Sequence, residues 1–142
     1  MTNSPPAISG QPRAAAESAA GVVLFAHGAR DARWAEPFAK VAERVRAVAP
    51  EMPVEIAFLE FMVPDLSAAI GKLAARGVTR VRVIPLFLGT GGHLRAEVPR
   101  LVAEIAASRP GVAIDLAPAA GDDAGVIDAL AAYCLGEAAA IR

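Results

Sequence analysis

Three features of the sequence predict an α/β fold with a parallel sheet covered by helices on both faces. Four short apolar runs, Val22–Ala26, Val54–Leu59, Val81–Leu88 and Val112–Ala117, recur along the chain. Three of them are rich in β-branched residues or Phe, as strands buried on both faces are. Each run is followed by a Gly- or polar-bounded turn and then by a stretch with helical spacing. Alternating βα units of this length need crossover connections, hence parallel strands with helices on both sides. For four strands the simplest arrangement is a flavodoxin-like three-layer sandwich with strand order 2-1-3-4.

The helical stretches show their apolar faces in order. Phe38, Val41, Val45 and Val48 stand at i, i+3, i+7 and i+10, a face that Pro50 ends. Leu66, Ile70 and Leu73 repeat the pattern before Gly77, and Val98, Leu101, Val102 and Ile105 repeat it before Pro110-Gly111. Val126, Ile127, Leu130 and Cys134 make the fourth face, which predicts Cys134 to be inert core. Trp34 and Tyr133 are expected to be buried against the sheet. Asp31 reads as the cap of the first helix, and Asp122-Asp123 as a helix cap rather than a metal pair. Residues 1–20 are small, polar and Pro-containing, and are expected to form a disordered leader to one domain over 21–142.

A chain of 142 residues suits one domain. Hydrophobic residues reach 55%, but 34 positions are Ala, which adds little burial energy. No apolar run approaches the length of a bilayer span, and no cationic flank or cleavage site marks a signal peptide. Fourteen basic against fifteen acidic residues give a net charge of −1 without a basic stripe, so nucleic acid is not an expected partner. A single cysteine excludes an internal disulfide framework and a Cys-rich metal site, and makes a reducing cytoplasm the expected compartment.

The chemistry concentrates at one edge of the sheet. His27 follows the first run in LFAHGARD, Glu60 ends the second in IAFLEFMVPD, and His93 follows the third in PLFLGTGGHLRAE. These are the only histidines. The carboxyl edge of an open parallel sheet is where ligands bind, above all where the strand order reverses, here between strands one and three. Neighbouring strands lie about 4.8 Å apart, so two imidazoles and a carboxylate can converge on one ion. Such a set suits Co(II), Ni(II), Fe(II) or Zn(II) and leaves positions open for a substrate. Taken singly, each histidine also reads as a cap of a strand-to-helix turn; the pair beside a matching Glu favours a site.

Neighbouring residues carry two readings each. Gly89-Thr90-Gly91-Gly92 can cradle an anion at a helix N-terminus, yet it lacks the phosphate-loop pattern and a nearby Lys, and so reads as glycine for ligand access. Glu97, four residues after His93, either orients that imidazole or is a solvated first-turn acid, the reading preferred here. Arg30, Arg33, Arg95 and Arg100 flank the two histidine motifs and suit a polycarboxylate ligand, though each alone is also an ordinary surface charge.

The strings LFAHGARD, VEIAFLEFMVPDL and RVRVIPLFLGTGGHLRAEVPRLV resemble the small-type sirohydrochlorin chelatases, the CbiX family of class II chelatases, over nearly all of the chain from Gly21 onward. His27 and Glu60, and Glu60 and His93, are each 33 residues apart, as a repeated βα scaffold delivers. The resemblance implies a chelatase-like α/β sandwich and a lyase that inserts a divalent ion, cobalt foremost with iron or nickel as alternatives, into sirohydrochlorin without ATP or an organic cofactor. The pathways it implies are cobalamin or sirohaem synthesis, in a homodimer with its cleft near the subunit interface. It assigns His27 and His93 to metal binding and proton acceptance and Glu60 as their acidic partner. Ala29 stands where Ser is common in the family, and no His-rich tail is present.

Two pyrrole N–H protons must leave as the metal enters, and imidazole is a competent acceptor near neutral pH. Arg30 and Arg95 would meet the ring carboxylates; Gly91 and Gly92 would give access; Leu88, with Phe61 and Leu86, would support the ring. A metal- or tetrapyrrole-binding carrier without turnover needs the same ligands. A nucleotide binder using the GTGG segment is the third class.

Overall fold

A computed structural model describes residues 19–141. Of the expected leader over residues 1–20, residues 1–18 lie outside the described residues, while Ala20 already belongs to the first strand. Four strands, β1 (Ala20–Ala26), β2 (Val54–Phe58), β3 (Arg80–Pro85) and β4 (Ala113–Leu116), form one parallel sheet in the order β2-β1-β3-β4. The connecting helices are α1 (Glu36–Val48), α2 (Leu66–Ala75) and α3 (Gly92–Ser108), with α4 (Ala124–Ala139) following β4. Short 3₁₀ turns at Ala32–Ala35 and Ala120–Asp122 precede α1 and α4. No helix among the described residues is long and apolar enough to cross a membrane.

Strand alternation divides the core. Val23 and Phe25 of β1, Ala57 of β2, and Val81 and Val83 of β3 point to one face, where Leu66, Ile70 and Leu73 of α2 and Val98, Val102 and Ile105 of α3 cover them. Leu24 and Val54 point to the other face, where Ala42 of α1 closes over them with Val22, Val45, Ile56 and Ile84 partly buried alongside. The predicted sandwich with strand order 2-1-3-4 is therefore present.

Two helix faces depart from the sequence reading. On α1 the contact centres on Ala42 and Val45, which successive 100° steps keep within one narrow arc. Val41 and Val48 fall to the flank of that arc and are exposed. On α4 the departure is larger: no residue is buried, and every described residue from Ile127 to Ile141 is exposed. Cys134 is thus an exposed thiol rather than core, and Tyr133 is not packed on the sheet. Trp34 is half-buried and stacks on Phe38, ring centroids 4.6 Å apart, one turn along the same segment.

Candidate functional site

β1 and β2 do not part where their strand geometry ends. The amide of Leu59 donates to the Ala26 carbonyl at 2.9 Å, and the amide of Glu60 donates to the His27 carbonyl at 3.1 Å. The ladder thus runs on past both strands and brings His27 level with Glu60. Gly28 permits this approach, since its φ is +95° and a Cβ there would overlap the Glu60 carbonyl oxygen. His27 Nε2 lies 2.9 Å from Glu60 Oε1, with both side chains about half exposed. Behind the imidazole, Phe87 is buried and packs on both Phe25 (5.8 Å between ring centroids) and His27 (6.1 Å). Phe87 is held by the loop after β3, so three adjacent strand ends contribute to the placing of one imidazole. A neutral ring that donates from Nε2 keeps its lone pair on Nδ1, available to an ion.

His93 is the second residue of α3, and its side chain is 88% exposed. Its Nε2 lies 2.8 Å from Glu97 Oε2, one turn along the helix. Glu97 is therefore a partner of His93, not the solvated acid preferred from the sequence. Among the described residues no three His, Cys, Asp or Glu side chains stand close enough together to hold a metal ion. The arrangement is two His–Glu pairs at one sheet edge, one fixed by the β1–β2 ladder and one carried by the start of α3.

The flanking residues sort by what they touch. Arg30 lies over the Phe61 ring at 5.0 Å. Phe61 directly follows Glu60, takes a left-handed φ of 64° and is exposed. Leu88 is also exposed, and Gly121 packs so tightly beneath it that a Cβ would overlap the Leu88 carbonyl oxygen. Arg95 donates from Nε to the Thr90 carbonyl at 3.4 Å and lies 3.8 Å from Asp122. Arg33 is held by Asp31, whose carboxylate also accepts the Arg33 amide and caps the 3₁₀ turn ahead of α1. That contact holds the Asp31 carboxyl below the usual Asp value, mainly through the Arg33 side chain and then through its amide. Asp123 caps α4 by accepting from the Val126 amide, in line with the capping assignment. A Cβ at Gly91 or Gly92 would meet open space, so these glycines leave room outward.

Beside α3 lies a cleft of about 120 Å³ lined by Phe87, Thr90, Leu94, Arg95 and Val98 among others. It is mainly apolar, with Thr90 and the Arg95–Asp122 pair as its polar members. Phe87 and Gly28 escaped the sequence reading. The glycine immediately after a strand-ending histidine was the available signal for the close approach, whereas nothing in the string PLFL tells which side chain backs the imidazole.

The profile of the CbiX family matches residues 21–134. A sirohydrochlorin cobaltochelatase of Saccharolobus solfataricus is 39% identical over 82 residues, 58% of this chain and 62% of that relative. One from Methanopyrus kandleri is 33% identical over 81 residues, 57% of each chain. The matched stretch thus spans about three-fifths of the length of these curated relatives. Among solved structures, a CbiX protein from Marinobacter aquaeolei superposes with a TM-score of 0.74 at 35% identity, covering 83% of this chain and 96% of that one. The sirohydrochlorin chelatase SirB of Bacillus subtilis subspecies spizizenii, solved in complex with cobalt, gives a TM-score of 0.65 at 26% identity, over 73% of this chain and 44% of that one. With its profile match over most of the sequence and its four-stranded sheet of the same architecture, the chain belongs to the CbiX family.

Proposed function

We propose that this chain is a chelatase that inserts a divalent metal, cobalt foremost, into sirohydrochlorin without ATP or an organic cofactor. The observation that carries the reading is the His27–Glu60 pair (2.9 Å) at the carboxyl edge of β1 and β2, next to the β1–β3 strand-order reversal, in a CbiX chain whose other histidine opens α3 at the same sheet edge. The reaction exchanges two pyrrole protons for one M²⁺, so the site needs donors that hold the ion loosely and groups that accept two protons. His27, Glu60 and His93 supply both. His93 is exposed enough to turn from Glu97 toward the other pair when the ion arrives. Three protein donors leave positions open through which the metal passes to the macrocycle.

The exposed Phe61 and Leu88 form apolar rests for the ring on either side of the histidines, and Arg30 and Arg95 face its carboxylates. Gly91 and Gly92 leave room for the macrocycle edge. On the same reading the chain works in the cytoplasm as a homodimer and serves cobalamin synthesis, or sirohaem synthesis if iron is its ion. The test is anaerobic insertion of Co(II), Ni(II) and Fe(II) into sirohydrochlorin, followed by absorbance under multiple turnover. A chelatase continues past one equivalent per chain; a carrier stops there.

A further inference from the structure

The Asp122 carboxylate has one partner among the described residues, the Arg95 guanidinium, at 3.8 Å. Its neighbour Asp123 takes the cap of α4, so helix capping does not account for Asp122. The turn that carries Asp122 is held by its backbone. The Asp122 amide donates to the Ala119 carbonyl at 2.9 Å, and the Gly121 amide to the Phe87 carbonyl at 2.9 Å. Because a Cβ at Gly121 would overlap the Leu88 carbonyl oxygen, only glycine allows this approach. The chain beyond β4 is thus tied to the segment whose Phe87 backs His27, and Asp122 stands where that tie puts it.

Arg95 lies two residues beyond His93, in the first turn of α3. Its Nε donates to the Thr90 carbonyl at 3.4 Å, which leaves the terminal nitrogens for an anion. Asp122 meets only one of them, Nη2, and does so near the outer limit of an ion pair, with the two side chains 63% and 50% exposed. A contact of this kind adds little and is readily given up. A carboxylate arriving from solvent can engage both terminal nitrogens at hydrogen-bond distance, the stronger bidentate arrangement. Beside the pair, Leu94, Val98 and Leu116 form apolar walls of the cleft of about 120 Å³. An apolar wall that ends in a guanidinium matches an alkyl arm that ends in a carboxylate.

We propose that Asp122 is a specificity-determining residue, which holds Arg95 before the substrate binds and yields it to a carboxylate-tipped alkyl arm of the macrocycle. Binding then exchanges one carboxylate for another at the same guanidinium. The exchange moderates affinity, since each bound arm displaces Asp122 and leaves two like charges as neighbours. It also selects, because an arm without a negative charge leaves Arg95 with Asp122. A product that keeps its arms departs by the same exchange in reverse. The identity of the incoming anion rests on the chelatase reading; the exchange itself rests on the geometry around Arg95.

The test uses the full chain, with metal-free sirohydrochlorin titrated by absorbance and KM measured for its metallation by Co(II). Asp122→Asn is expected to lower Kd and KM about threefold. Asp122→Glu, one methylene longer and able to close on Arg95, is expected to raise both, and the changes fall on KM rather than on kcat. A residue that only supports the fold does not move affinity in opposite directions. In an Arg95→Gln background, itself a weaker binder, Asp122→Asn is expected to change nothing, and the unfolding midpoints of the Asp122 variants stay with that of the wild type. Weaker binding by Asp122→Asn, tighter binding by Asp122→Glu, or an equal gain in the Arg95→Gln background (bulk repulsion in place of exchange) overturns the inference. A wild type that neither binds nor metallates sirohydrochlorin overturns the chelatase reading and the inference with it. A wild type that does both, beside Asp122 variants of identical Kd, overturns the exchange alone.

Discussion

The Nε2 of His27 and the Oε1 of Glu60 stand 2.9 Å apart because the backbones that carry them are themselves joined, the Glu60 amide donating to the His27 carbonyl. The pair is thus a product of two strands and not of two flexible side chains meeting by chance. An exposed His–carboxylate contact adds little stability by itself, about 0–1 kcal/mol. Its geometry serves positioning, with Phe87 supporting the imidazole from the core side.

Gly28→Ala tests that dependence. The new Cβ meets the Glu60 carbonyl oxygen and the residue keeps a positive φ, so the two loops must part. The expected cost is about 1–3 kcal/mol of stability, measured by denaturant unfolding, with insertion activity lowered more than stability accounts for. Unchanged activity would show that the close approach does not set the site.

Glu97→Gln and Glu97→Ala separate orientation from charge at His93. Both remove the carboxylate, but Gln still places a polar group one turn from the imidazole. If Glu97 positions His93, Ala lowers turnover by about tenfold or more and Gln recovers part of it, with the cooperative unfolding of the domain unchanged. Equal turnover in all three proteins would make the contact incidental.

Asp31 gives a pH signature in stability. Its folded carboxyl is held below the ordinary value by Arg33, so its ionised form favours the folded state. That contribution is fully present above the unfolded Asp value, about 4, and is lost as pH falls through the lower folded value. Asn also caps helices well, so Asp31→Asn removes mainly the charge. The melting difference between wild type and Asp31→Asn should be constant near neutrality and shrink at acid pH; a difference that grows on acidification would reverse the sign.

The strands were legible because alternation and β-branched content mark them without tertiary information, and the strand ends carried His27, Glu60 and the approach to His93 with them. Val41 and Val48 were misplaced since a 3.6-residue period gives the apolar side of a helix but not which part of it the sheet selects, and Ala42, too small to stand out, forms the contact. The pairing of Glu97 with His93 rests on one rotamer choice that spacing permits but does not decide. For α4 the stripe from Val126 to Cys134 reads as a buried face, yet the helix buries none of it, because an apolar period does not say whether a surface stands opposite.

Multiple-turnover Co(II) insertion into sirohydrochlorin, followed by absorbance for wild type, His27→Ala and His93→Ala, tests the central reading most directly. The wild type should turn over many equivalents, and each variant should lose about a hundredfold or more in rate while unfolding as cooperatively as the wild type. Full activity in both variants, or a wild type that stops after one equivalent, would contradict it.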